Sequence, residues 1–219
     1  YGTLTAKGID GDGGQIETSG AVLNYNGIKV DTSSETGNYG IWLLDPTNLT
    51  VGSSEASTYV SNLASTNVNV TADNTITVNS AISYGGGRSN GTLTFTSAST
   101  VLNANVGSSS NSLNVVFASA VKLGADVTIN TRGGDLTLNS TLDSNSSTAK
   151  GLTVSGSSGT ATFGGNIGST YRLSGIDVTA GTINIGGNIS TDSSAGTYST
   201  SSLGAAGWIR SDYNGYFGE

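Results

Sequence analysis

The feature that most restricts this chain is a series of short runs in which apolar residues alternate with Thr, Asn or Ser. Asn67-Val68-Asn69-Val70-Thr71, Thr75-Ile76-Thr77-Val78-Asn79 and Thr92-Leu93-Thr94-Phe95-Thr96 are typical. Asp126-Val127-Thr128-Ile129-Asn130, Gly151-Leu152-Thr153-Val154-Ser155 and Gly175-Ile176-Asp177-Val178-Thr179 continue the series. Period-two alternation is the mark of a strand with one face buried and one in water. Each run is about five residues long and ends in Gly, Asn, Ser or Asp, which accept tight turns. The chain is therefore expected to be all-β.

The runs recur as phrases. "VNVTADNTITVNSAIS", "LTVSGSSGTATFGGNIGS" and "IDVTAGTINIGGNIST" begin at 68, 152 and 176, and weaker copies begin near 93, 113 and 136. Starts spaced by roughly 16 to 25 residues are the signature of a solenoid. A sandwich also places strands at short intervals. It does not require the repeated "GGNI" ending, and it favours longer strands and a larger aromatic core. The expected fold is a right-handed parallel β-helix whose inward Val, Ile and Leu stack from coil to coil, because no coil is stable alone. Ten coils of roughly 22 residues at about 4.8 Å would give a rod on the order of 50 Å long. One stretch departs from the alternation. In Ser53–Leu63, Tyr59, Val60 and Leu63 fall at helical spacing after a Ser-before-Glu start signal, so one short helix is expected near 54–64.

Composition closes off much chemistry. Gly, Ser, Thr and Asn supply 118 of 219 residues, and there is no Cys, His or Met, so Cys/His zinc sites, His-based acid–base catalysis and disulfides are excluded. Eight basic against fifteen acidic residues give a net charge of −7, which disfavours nucleic acid and anionic membranes as partners. No run approaches eighteen apolar residues, the length a membrane-crossing helix needs. Charged residues are only 11% of the chain, and the apolar ones are ordered, which opposes a disordered reading.

Residues 13–51 carry a more specific pattern: "GGQIETSG" (13–20), "IKVDTS" (28–33) and "GIWLLDPTNLTV" (40–51). Their order and spacing, followed by "EASTYVSNLASTNVNVT", resemble filamentous-haemagglutinin-type exoproteins of two-partner secretion systems, a family that includes large bacterial adhesins. The resemblance implies a right-handed β-helix, export through an outer-membrane pore partner, an extracellular place on the bacterial surface and a role in attachment to a host-cell or surface receptor, with glycans among the candidate ligands. Without an initiating Met or a leader, the chain reads as an internal or processed piece, just downstream of a secretion domain whose Asn-Pro-Asn motifs it lacks. The β-helix region is assigned to 1–192, with the strict motif at 13–51 and repeat coils from about 67 to 192. The Ser/Gly/aromatic tail, 193–219, caps the last coil or marks a cut boundary.

The individual candidates have simple structural explanations. Asp10-Gly11-Asp12-Gly13-Gly14 looks like the start of a calcium loop but lacks a closing acidic residue, and a turn between coils explains it as well. Glu17 and Asp45 invite comparison with β-helix enzymes that gather carboxylates. The remaining acids, and the basic residues from Lys7 to Arg210, are spread along the chain. Asp45-Pro46 reads as a turn, and Trp42, alternating with Leu44, reads as inward-facing. Trp208, Tyr213 and Tyr216 are read first as an end cap and second as a sugar platform. Asparagine sequons at Asn48, Asn69, Asn90, Asn139, Asn145 and Asn188 are as many as chance predicts from 21 Asn and 64 Ser/Thr. No catalytic, cofactor-binding or metal-binding residue is assigned. The expected role is a non-enzymatic shaft or binding surface of an adhesin. The alternative is a structural subunit of a filament or sheath, joined end to end through open strand edges.

Overall fold

The computed structural model describes residues 2–192 and the backbone of two further strands, Thr197–Thr200 and Leu203–Ala205. It is a parallel β-solenoid. Successive strands of its broadest sheet lie one coil apart. Gln15 pairs with Ile41 and Ile41 with Asn67, while Val68 pairs with Leu93, then Val115, Leu136, Ala161, Ile183 and Leu203. These are eight turns of 20 to 26 residues, fewer and less regular than ten coils of 22. At about 4.8 Å per turn they rise about 38 Å.

The broad sheet has nine strands. A second, of five, runs through Leu49–Val51, Thr75–Val78, Ser99–Leu102, Ala120–Leu123 and Leu142–Ser144. Single bridges from Leu142 to Ile167 to Ile189 prolong it. The third sheet begins at Ile82–Tyr84 and has six strands. A complete coil visits the broad, second and third sheets in turn. The phrases at 68, 93, 113 and 136 start on the broad sheet, whereas those at 152 and 176 start on the third. The visible phrase is thus not one structural unit in a fixed phase.

Alternation in the sequence becomes two inward columns on the broad sheet. Trp42, Val68, Leu93, Val115, Leu136, Ala161 and Ile183 form one. Leu44, Val70, Phe95, Phe117, Leu138, Phe163 and Ile185 form the other, and all are buried. Identical register brings the Phe95 and Phe117 rings face to face, with centroids 5.3 Å apart. Close coil contact also explains motif glycines. A Cβ on Gly13 would lie 1.8 Å from the Thr32 carbonyl oxygen, and one on Gly40 would lie 1.9 Å from that of Gly14.

The helix spans Ser53–Asn62, and its N-cap is Gly52 rather than a serine. The Glu55 carboxylate accepts the Gly52 N–H at 2.9 Å, so the acid at the third helical position satisfies the turn where a side-chain cap is missing. The helix follows Leu49–Val51 and precedes Asn67–Thr71, the place where other coils carry a third-sheet strand. It packs against both Lys29–Asp31 and Ile82–Tyr84. A helix therefore stands in for one rung of the third sheet.

Candidate functional site

Two features of the molecule can be built up from single residues: the join between helix and sheet, and the outer surface of the broad sheet. At the join, Lys29–Asp31 has a strand partner on one side only, Thr3–Thr5. Its other edge would be left unpaired beside a helix. Asn62 supplies what is missing. Its Oδ1 accepts the Val30 N–H at 2.6 Å and its Nδ2 donates to the Ile28 carbonyl at 2.9 Å. One primary amide thus reproduces the donor and acceptor of a strand residue. Ser65 Oγ donates to the Val30 carbonyl at 2.7 Å, and Thr58 Oγ1 accepts the Gly27 N–H at 2.9 Å.

Beneath the helix, Tyr25, Trp42 and Tyr59 form an aromatic cluster. The two tyrosine rings stack at 5.9 Å, and Trp42 meets them edge-on at 5.8 and 6.4 Å. The phenol oxygens lie 2.5 Å apart, and Trp42 Nε1 donates to Thr18 Oγ1 at 3.1 Å. Burial pushes both phenols above their ordinary range. At the other end of the helix, Arg88 Nε donates to the Leu63 carbonyl at 3.0 Å, and its guanidinium lies 4.3 Å from the centre of the Tyr39 ring. A cation at the helix C-terminus is electrostatically favourable.

The outer surface of the broad sheet has an unusual composition. From Asn67–Thr71 to Thr182–Ile185 the outward residues are Asn67, Asn69 and Thr71, then Thr92, Thr94 and Thr96, then Asn114 and Val116. Thr137, Thr160, Thr162, Thr182 and Asn184 complete it. Twelve of these thirteen are Thr or Asn, and the exposed Asp135, in register between Asn114 and Thr160, adds one charge to the surface. The first two strands of the same sheet carry Glu17 and Asp45 outward, and the other sheets carry Lys122 and Asp177.

Polar side chains also tie the coils together. Asp12, Asn67, Asn105, Asn114, Asp126, Asp135 and Asn166 each use Oδ1 to accept a backbone N–H one coil later. The donors are Asn38, Thr92, Thr128, Asp135, Gly151, Thr160 and Asn188, at 2.7 to 3.1 Å. These ties explain why Asn and Asp stand just before or at the start of so many strands.

Of the residues singled out in the sequence, Asp12 is thus a corner tie, while Asp10 belongs to the same exposed turn. Glu17 faces outward and accepts the Ser19 hydroxyl. Its register partner is Leu43, and that of Asp45 is Ser19, so the two acids do not stand opposite each other. Trp42 is fully buried, as its alternation predicted. Asn48, Asn90, Asn139, Asn145 and Asn188 are exposed, and Asn69 is half-buried. Trp208, Tyr213 and Tyr216 lie outside the described residues. Among the described residues no three His, Cys, Asp or Glu side chains come together to hold a metal ion. Two open grooves of about 440 and 490 Å³ flank the helix, both lined by Ser53, Ser57 and Ser61 and the second also by Ala56 and Val60, and neither gathers an acid–base pair. A Thr/Asn/Ser-rich outer face follows from the alternation, whereas Asn62 was not foreseen. The repeated Thr and Asn at outward positions is the signal for the face, and no local pattern marks Asn62. Compared with known proteins, the chain has no matching family model, and no curated protein or solved structure matches it.

Proposed function

We propose that this chain is a non-enzymatic shaft or binding-surface segment of a bacterial cell-surface adhesin of filamentous-haemagglutinin type, exported through an outer-membrane pore partner. The observation that carries this reading is a solenoid whose broadest sheet runs through every coil with an outer face made chiefly of Thr and Asn from Asn67–Thr71 onward. The Gly-Gly-x-Ile-Glu-Thr-Ser-Gly and Trp-Leu-Leu-Asp-Pro segments support the family assignment. Both supply strands of that sheet, Gln15–Ser19 and Ile41–Asp45, in direct register. A rod of this kind holds a surface at a distance from the cell and offers it along its length. The lack of cysteine suits folding outside the cell without an oxidation step. The attachment role itself rests on family likeness, since one fold hosts many functions.

The test is the intact mass of the native chain recovered from the surface of the producing cell. A mass several-fold above 21.8 kDa is expected for a slice of a giant adhesin. A mass close to 21.8 kDa would overturn the adhesin reading in favour of a filament subunit.

A further inference from the structure

We infer that Asn26 is a self-modification site: its side-chain amide is converted to a carboxylate through a cyclic imide with Gly27, and the Thr58 hydroxyl of the helix sets the rate. The reaction needs only water. The Gly27 nitrogen, once it has given up its proton, attacks Asn26 Cγ. The Cγ–Nδ2 bond breaks, and ammonia leaves with a proton from the solvent. Water then opens the imide at either carbonyl. Breaking the new N–Cγ bond gives aspartate, and breaking the original main-chain N–C bond gives isoaspartate. Glycine is the residue that best permits the ring to close, because it places no side chain beside the attacking nitrogen and accepts most backbone angles.

Two Asn-Gly pairs lie among the described residues, Asn26-Gly27 and Asn90-Gly91, and the sequence does not rank them. The fold does. Asn90 Oδ1 accepts the Ser112 hydroxyl at 2.8 Å, and the Asn90 N–H donates to the Ser112 carbonyl at 2.9 Å. Gly91 is buried, with Arg88 Nη2 3.3 Å and the Leu63 carbonyl oxygen 3.4 Å from where a Cβ would stand. That asparagine is held in place, and its neighbouring nitrogen is shut away from water. At the other pair Gly27 is exposed, and Asn26 Oδ1 has no hydrogen-bond partner among the described residues. Asn26 lines the open groove of about 440 Å³ beside the helix, so water can enter and ammonia can leave.

Thr58 is the brake. Residues 25–28 form a turn closed by the Ile28 N–H to the Tyr25 carbonyl at 3.1 Å. Gly27 has φ +76° while Asn26 stays out of the positive region, the pattern of a type II turn. The Gly27 N–H donates to Thr58 Oγ1 at 2.9 Å, and the Thr58 hydroxyl donates to the Ser54 carbonyl at 2.8 Å. Imide closure needs the Gly27 nitrogen deprotonated and turned toward Cγ, so the bond to Thr58 must break first. The product then acts on the helix. Asn26 shares its groove with Ser53 and Ser54 of the first helical turn, where a negative charge is favourable. Isoaspartate also adds an atom to the main chain ahead of Gly27 and draws its N–H away from Thr58.

The experiment is a time course on the full 219-residue chain in warm, mildly alkaline buffer, read by mass spectrometry of tryptic peptides. Peptides 8–29 and 89–122 separate the two pairs, and fragment ions place the amide-to-acid mass change at the asparagine concerned. A parallel sample in urea gives the unrestrained rates. In the folded chain Asn26 should convert more slowly than in urea but well ahead of Asn90, which should stay intact. Thr58→Val should speed Asn26 about fivefold, as expected for the loss of one hydrogen bond, and leave Asn90 unchanged. Thr58→Ser, which keeps the hydroxyl, should keep the slow rate. Far-UV circular dichroism checks that both variants are folded, and the ranking of the two asparagines is a test that needs no substitution. Conversion of Asn90 as fast as Asn26 in the folded chain would overturn the proposal. So would an Asn26 that stays intact while the urea sample converts fully, or a folded Thr58→Val chain with an unchanged rate.

Discussion

At the scale of the residue, the Tyr25–Tyr59 pair shows how burial becomes a pH dependence. Both phenols are pushed above their ordinary range because their charged forms would be desolvated. In the unfolded chain the same groups ionise near pH 10. Above that pH the unfolded state releases protons that the folded state retains, so stability falls as pH rises; below it the pair costs nothing. Spectrophotometric titration should show the Tyr25 and Tyr59 phenols, identified by their absence in the double Phe variant, ionising only as the chain unfolds. Tyr25→Phe with Tyr59→Phe should lessen the alkaline loss while costing about 1 kcal/mol at neutral pH for the missing hydrogen bond. Ionisation of these two phenols in the folded protein would refute the assignment. Trp42 was legible in the sequence because Leu44 keeps alternation with it. Tyr25 was not, since it lies in an irregular turn and reaches Trp42 only after the chain has wound through a coil.

At the scale of the element, the helix was legible in place and length, but its structural role was not. Spacing of Tyr59 and Leu63 reports a buried stripe, yet nothing local says that the stripe replaces a strand. That knowledge needs the neighbouring coils, Lys29–Asp31 on one side and Ile82–Tyr84 on the other. The same limit explains the misplaced cap: Ser before Glu is a sound signal, but the reach of Glu55 to Gly52 places the start slightly earlier. Asn62 tests the replacement. Asn62→Ala leaves the Val30 N–H and Ile28 carbonyl without the amide, and about 2–4 kcal/mol should be lost in urea unfolding. A loss below about 0.5 kcal/mol, the range of ordinary surface changes, would mean that the amide does not carry this edge.

At the scale of the whole molecule, the coils should behave as a line of coupled units, since each touches chiefly its neighbours. All-β architecture and stacking were legible because inward columns require alternation in every coil. The number of coils was not, because turns of 20 to 26 residues hide their length in corners of variable size. Coupling along the line makes a local fault local. Val115→Asp buries an unpaired charge in a central coil and should cost about 3–5 kcal/mol there. Hydrogen exchange should accelerate around Leu113–Phe117 while Ile41–Asp45 stays protected. Equal loss of protection throughout would show a single cooperative unit instead. The Asp and Asn corner ties give this line a grain. In all seven, and in the Thr170 N–H bond to Asp143 Oδ1, the earlier coil contributes the side-chain acceptor and the later one the backbone donor. A coil already wound therefore carries a primer for the one that follows, with oxygens positioned for amides still to arrive. At those corners, winding from the amino-terminal side meets a prepared acceptor, whereas winding from the opposite side must order both partners at once.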